Sequence, residues 1–395
     1  MADGPLKGLK VLDCTHVIAG AWCSLLLADL GADVIKIEPL EGETTRGHPK
    51  ARFKAFDYVN RNKRAIAVDM TTPAGADVIK RLAKGVDVFV ENYRPGALNR
   101  MGLGYEDLAK VNPRLVYASV SGFGLTGPYS DRGGFDLIAQ AMSGIMSFTG
   151  QPGDERPSAA GVPLSDLNAG LFAAFGVMAA LRHRDATGEG QHVEASLLES
   201  AVAYTMWETG MYLSTGEVAK PNGSRHRLAA PYESLRTRDG WIVLGVNNDR
   251  LWKKLIDALG ADDLAADPLF ADGRSRLTNR DELEKRIEAI FATDDTAAWV
   301  EKLNAKGVPC GPINTIDQAL ADPQVEARGL LAEVDGRRFT RAPLGFSKTP
   351  ASVRTGVPAI GQHTREVLNA AGMSDRDIDT LAADGVLGLN GETAQ

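Results

Sequence analysis

One carboxylate stands where it could do covalent chemistry. In Gly161-Val-Pro-Leu-Ser-Asp166-Leu-Asn-Ala-Gly170, Asp166 opens a stretch running to His183 that is otherwise nearly all small and apolar. Two readings are open. An acid in a first helical turn can simply cap the helix and complement its dipole. A carboxylate held at an apolar helix start is also oriented, partly desolvated and available as a nucleophile. Desolvation raises its pKa, while the helix N-terminus favours the ion and is expected to keep it charged at neutral pH.

Cations form the second constellation. Arg46, Lys50, Arg52 and Lys54 share one loop, Arg61, Lys63 and Arg64 precede an expected strand, and Arg94 and Arg100 flank Pro95-Gly96. Taken singly, each reads as solvated surface. In a doubly wound sheet, ligands bind beyond the carboxyl ends of the strands, which is the position of Arg94. The chain carries 51 acidic and 44 basic residues, a net charge of −7. In so acidic a chain the set points to an anionic ligand carrying several phosphates. The same balance argues against general nucleic-acid binding, which needs a basic face.

Other motifs fail on context. Gly122-Phe-Gly124-Leu-Thr-Gly127 has dinucleotide-fingerprint spacing, but turn sequence follows it rather than a helix start. There is no phosphate-binding G-x-x-x-x-G-K-[ST] loop and no G-x-S-x-G elbow. The six histidines never fall at metal-ligand spacing, so no metal is expected. Three cysteines, Cys14, Cys23 and Cys310, cannot form a disulfide framework, and Cys23 reads as core rather than nucleophile. The N-terminus lacks a signal-peptide pattern, and no run of about 20 apolar residues is evident. A soluble cytoplasmic protein without membrane or nucleic-acid partners is expected.

The elements that must position these residues follow from periodicity. Strands are expected at 8–14, 33–38, 65–69, 86–91 and 114–121, with helices at 20–30, 73–83 and 135–147 between or after them. That order gives an α/β domain with a parallel sheet. Small residues from 166 to 183 suit close helix packing, and a second long helix is expected from Glu194 to Tyr212. Residues 214–227 read as a linker. Beyond it, a strand at 241–246 and helices at 249–259, 280–291 and 296–305 suggest a smaller domain, and a last surface helix is expected at 361–371. With 395 residues, 44% of them hydrophobic, two or three domains are expected. The division read from the sequence is 1–213, 214–320, and 321–395 returning to the first.

Eight ordered motifs carry a resemblance. They are Val11-Leu-Asp-Cys-Thr-His-Val-Ile-Ala-Gly20, Leu27-Ala-Asp-Leu-Gly-Ala-Asp-Val-Ile-Lys-Ile-Glu-Pro39, Asn62-Lys-Arg64, Glu91-Asn-Tyr-Arg-Pro-Gly96, Gly122-Phe-Gly with Gly127-Pro, Gly161-x-Pro-x-x-Asp166, Thr187-Gly-x-Gly-Gln191 and Gly361-Gln-His-Thr-Arg-Glu-Val367. Together they resemble the class III coenzyme A transferases, over almost the whole chain. The resemblance implies a Rossmann-like large domain, a smaller α+β domain and an interlocked homodimer. It implies no tightly bound cofactor, with coenzyme A and acyl-CoA as substrates. The family's catalytic aspartate falls on Asp166. CoA contacts would fall on Ile18, Ala19, Val68, Thr71, Asn92, Tyr93, Arg94, Arg100, Gly133, Gly134, Phe135 and Asp136. A glutamine in the formyl-CoA branch is replaced here by Ile18, and an arginine by Pro39.

The implied chemistry is CoA exchange through an aspartyl anhydride and an aspartyl-CoA thioester. Oxyanion donors from Gly133 and Gly134 would assist it. The related α-methylacyl-CoA racemases carry a Gly-His-Asp motif, but this chain has Gly134-Phe135-Asp136, and phenylalanine cannot exchange a proton. A non-catalytic acyl-CoA binder would not need Asp166. The segment from Gly223 to Tyr232 looks like the branch that transfers CoA from succinyl-CoA to dicarboxylic acids such as glutarate, itaconate or mesaconate. A dicarboxylate needs a cation for its distal end, and Arg225, His226 and Arg227 are the expected acceptor-binding residues.

Overall fold

The computed structural model describes residues 4–48 and 50–389. The chain divides into two compact units. One comprises residues 1–146, 159–217 and 326–395; the other comprises 147–158 and 218–325.

The first unit is built on a seven-stranded sheet. Its strands are β1 (Lys10–Cys14), β2 (Asp33–Glu38), β3 (Lys63–Val68), β4 (Val88–Glu91), β5 (Val116–Ser121) and β6 (His192–Ser196), with Leu387–Gly388 at one edge. The spatial order is Leu387–Gly388, β3, β2, β1, β4, β5, β6. All neighbours are parallel except the Leu387–Gly388 strand, which runs antiparallel to β3. Alternate side chains serve opposite faces. Val11, Val34, Val88 and Val120 meet the helices Ala19–Asp29 and Leu164–Thr187. Leu12, Ile35, Ile66 and Phe89 meet helices Pro73–Ala83 and Thr364–Ala370. A parallel sheet covered on both sides needs such continuous apolar strands.

Helix Leu164–Thr187 packs on helix Ala19–Asp29 through its small residues, as read from the sequence. Gly170 is indispensable there, since a Cβ on it would lie 2.4 Å from the Ala19 carbonyl oxygen. This 24-residue helix is long and apolar enough to cross a membrane by composition, which corrects the expectation that no such stretch exists. This packing accounts for part of its apolar content, half of the apolar window being buried inside the unit.

A second correction concerns residues 192–196. The expected helix from Glu194 to Tyr212 begins instead as β6, because His192-Val-Glu-Ala-Ser alternates and pairs with β5, with Ser119 opposite Glu194. Ser196 then caps helix Leu197–Tyr204, its hydroxyl accepting the Glu199 N–H at 3.1 Å. A hairpin, Leu331–Val334 with Arg337–Thr340, also escaped the sequence reading.

The second unit holds a three-stranded antiparallel sheet, Tyr232–Arg236, Trp241–Gly245 and Cys310–Pro312. Its core contains Leu235, Ile242, Leu255, Phe270, Phe291 and Leu303. Helices Asp249–Leu259, Arg280–Phe291 and Thr296–Ala305 stand where periodicity put them. Residues 147–158 belong to this unit rather than to the first stretch of the large domain. The Gly223 N–H bonds the Gly150 carbonyl at 2.8 Å, and the Arg227 guanidinium lies 5.9 Å from the Phe148 ring centre.

Candidate active site

The strand order reverses its direction of growth between β1 and β4, which is where open α/β sheets bind ligands. A cavity of about 290 Å³ opens there, beyond the carboxyl ends of β1, β4 and β5. Its wall takes His16 to Ala19, Asn92 to Pro95, Gly122, Arg132 to Phe135, and Asp166. A larger hollow of about 1120 Å³, lined by Lys10, Asp33, Arg64 and Arg81 among others, faces the opposite ends of the strands and does not include Asp166.

The loop after β1 is held from beneath by a buried ionic cluster. Asp13 accepts the Thr15 N–H at 3.1 Å, the Ser24 hydroxyl at 2.7 Å and the Lys63 ammonium at 2.7 Å. Burial alone would raise the Asp13 pKa, but Lys36 and Lys63 outweigh it and hold the carboxyl well below its usual range. Lys36 donates to the Thr15 carbonyl. The Asn92 side chain closes the clamp, accepting the His16 N–H at 2.8 Å and donating to its carbonyl at 2.7 Å. Between these anchors Val17 adopts φ 61°, a left-handed conformation costly for a β-branched residue. Helix Ala19–Asp29 then begins at the cavity with no side-chain cap, so its first N–H groups face the site as donors.

Asp166 enters from the first turn of helix Leu164–Thr187, whose cap is not local. Asp136 Oδ1 accepts the N–H of Ser165 at 2.7 Å and of Asp166 at 3.3 Å. Its Oδ2 accepts from Gln140 Nε2 at 2.7 Å. Burial, and then the charge of Asp136, push the Asp166 pKa up to about 7. This corrects the expectation that the helix N-terminus keeps Asp166 ionised at neutral pH, because Asp136 occupies the donors that would have favoured the ion. Gly122 and Gly134 meet backbone to backbone, since a Cβ on Gly122 would lie 2.6 Å from the Gly134 Cα. That contact seats the 132–135 turn over the end of β5.

Of the expected residues, Ile18, Ala19, Asn92, Tyr93, Arg94, Gly133, Gly134, Phe135 and Asp166 come together in the cavity wall. Asp136 stands behind the wall as the cap. Val68 is buried in the core, Thr71 is exposed with its hydroxyl on Asp69 at 2.6 Å, and Arg100 is exposed on the turn after Gly96. None of these three lines the cavity. His16 and Arg132 line it but were missed. The signal for Arg132 was a lone cation directly before Gly133-Gly134.

Much of the basic set has another job. Arg46 pairs with Glu38 at 2.6 Å, Arg61 with Asp29 at 2.6 Å, Lys63 with Asp13 at 2.7 Å and Arg64 with Asp33 at 2.7 Å. These cations neutralise carboxylates of the fold, which corrects their reading as a phosphate-binding group. Cys23 is fully buried, and burial pushes its thiol up to about 12, so it is core.

In the second unit Arg225 is committed as well. It contacts Glu233 at 3.3 Å, Asp281 at 2.9 Å and also Glu284. Every guanidinium nitrogen has a carboxylate, which corrects its reading as an acceptor-binding cation. His226 stacks on Tyr232 with ring centres 4.7 Å apart, and Arg227 donates to the Lys220 carbonyl at 3.2 Å.

Comparison with known proteins shows the family. The family described as CoA-transferase family III matches residues 6–364, and the chain belongs to it. The succinyl-CoA:glutarate CoA-transferase of Mus musculus is 40% identical over 97% of this chain and 90% of its own. The succinate–glutarate CoA-transferase of Agrobacterium fabrum is 37% identical over 92% of this chain and 95% of its own. A crystal structure of a CAIB/BAIF family protein from Brucella suis superposes with a TM-score of 0.85 at 36% identity. That match covers 93% of this chain and all of the other.

Proposed function

We propose that this CoA-transferase of family III moves CoA from succinyl-CoA to a second dicarboxylic acid such as glutarate, with Asp166 as the covalent nucleophile. The observation that carries this reading is a single one. Asp166 is the only carboxylate among the described residues lining the cavity at the switch point, beside an uncapped helix start and Arg94. The names of the mouse and Agrobacterium relatives support the choice of acids.

The Asp166 carboxylate attacks the donor thioester carbonyl, and the C–S bond breaks to give a succinyl–aspartyl anhydride and CoA thiolate. The thiolate attacks the aspartyl carbonyl, releasing succinate and leaving an aspartyl-CoA thioester. An acceptor carboxylate attacks that thioester, expelling the thiolate and forming a second anhydride. The thiolate then takes the acceptor's acyl group, and the Asp166 carboxylate is regenerated. Each tetrahedral oxyanion needs a preorganised donor, a role this reading gives to the N–H groups at Ile18–Ala19 and Gly133–Gly134, which share the cavity wall with Asp166. Arg94 holds the near part of CoA, while Thr71 and Arg100, exposed past the carboxyl ends of β3 and β4, mark where its distal part would extend.

A homodimer completes the reading. Leu171, Phe172, Phe175 and Met178 make one exposed apolar face on helix Leu164–Thr187, and Phe135, Leu137 and Ile138 are exposed as well. Apolar surface of this kind marks an association site. The test of function is incubation with succinyl-CoA and a panel of mono- and dicarboxylic acids, following the CoA esters by mass. New dicarboxyl-CoA esters with release of succinate are expected. Unchanged succinyl-CoA with every acid would contradict the reading.

A further inference from the structure

Arg132 shares the cavity wall with Asp166 and is set apart from most other arginines of its unit. Its guanidinium stacks on the Tyr129 ring, 3.8 Å from the centre. Tyr129 is in turn met edge-on by Phe123, with ring centres 5.9 Å apart. Stacking engages the face of a guanidinium and leaves its in-plane N–H fork for a carboxylate. Among the described residues, that fork has neither a carboxylate nor another acceptor, in contrast to Arg61, Arg64 and Arg184.

Arg94, the other guanidinium in the wall, is differently placed. It follows β4 and also lines a neighbouring hollow of about 340 Å³. Its guanidinium lies beside Gly133, where a Cβ would meet Arg94 Nη2 at 3.4 Å, so it stands between the two hollows rather than stacked at the wall as Arg132 is. The wall that Arg132 and Asp166 share also includes Ile18, Phe135 and Leu197, apolar side chains suited to methylene groups. The volume, about 290 Å³, lies at the small end of ligand pockets and suits a short chain.

We propose that Arg132 binds the distal carboxylate of the acid being activated and so selects dicarboxylates over monocarboxylates. This rests on the transferase reading above. One carboxylate of the acid reaches the Asp166 centre while the other forms a bidentate pair with Arg132.

The test is competition within one mixture. Wild-type protein, Arg132→Ala and Arg132→Lys are given succinyl-CoA with glutarate and valerate together, and the two new CoA esters are quantified. Both acids draw on the same enzyme-bound CoA, so partial unfolding lowers both products and leaves their ratio readable. The glutaryl-to-valeryl ratio is expected to fall at least about 10-fold in Arg132→Ala, as for loss of a bidentate charge-assisted pair. Partial recovery is expected in Arg132→Lys, which keeps the charge but not the fork. A ratio within about threefold of wild type in Arg132→Ala overturns the assignment of Arg132 while leaving the transferase reading in place. Wild-type protein that forms neither ester overturns both.

Discussion

Asp136 Oδ1 accepts the backbone N–H of Asp166 at 3.3 Å, so one carboxylate caps the helix that carries the other. The arrangement sets position and charge together. The cap holds Asp166 at the cavity, and its negative charge adds to burial in raising the Asp166 pKa to about 7.

The pH dependence follows directly. Attack requires the Asp166 anion, and its pKa of about 7 means that kcat/KM for the donor rises as pH increases through that value. Asp136→Asn keeps an oxygen for the Ser165 and Asp166 N–H groups but removes the charge. The midpoint of the profile is expected to move to lower pH by about half a unit to one unit, and burial keeps it above an ordinary aspartate. Initial rates from pH 5 to 9 check this; an unmoved midpoint counts against the coupling.

The same shift appears in stability. The folded-state pKa of Asp166 lies above its unfolded value, so between about pH 4 and pH 7 the folded state holds the extra proton and stability falls as pH rises. Asp166→Asn removes that slope. The variant should match wild type near pH 4 and exceed it at pH 8 by on the order of 1–2 kcal/mol, after allowing for partial solvent access. Urea melts at the two pH values measure it, and a variant less stable at pH 8 contradicts the burial argument.

Arg225 should matter to the second unit's stability rather than to acceptor affinity. Its loss leaves Glu233, 2% exposed, with Arg280 at 3.8 Å as its only cation among the described residues. Arg225→Ala is expected to cost about 2–4 kcal/mol at pH 8. The loss should be smaller at pH 5, because burial raises the Glu233 pKa to about 7 and the neutral acid needs its partner less. Denaturation at both pH values and the KM for glutarate separate the roles.

What the sequence reveals divides along the range of the interactions. The bounds of helix Pro73–Ala83 were legible because they rest on local chemistry: Pro73 in the first turn and the Thr72 hydroxyl accepting the Gly75 N–H at 3.0 Å. Residues 192–196 were misread because five alternating residues run straight into an apolar helix, and pairing with β5, far back in the chain, decides the outcome. Charges suffer the same ambiguity. Arg61 and Lys63 look like ligand-binding cations until Asp29 and Asp13, 32 and 50 residues away, arrive beside them. Asp166 itself was legible as an acid on an apolar helix. Its cap, 30 residues earlier, was not, and so neither was its pKa.

The most direct measurement is the covalent one. Wild-type protein is mixed with succinyl-CoA without acceptor, digested, and mapped by mass. The account predicts a hydroxylamine-sensitive adduct on the peptide containing Asp166, absent in Asp166→Asn, with turnover in that variant reduced at least about a thousandfold, or roughly 4 kcal/mol. An adduct on Cys23 or any other residue, or an Asp166→Asn variant that turns over near the wild-type rate, would contradict it.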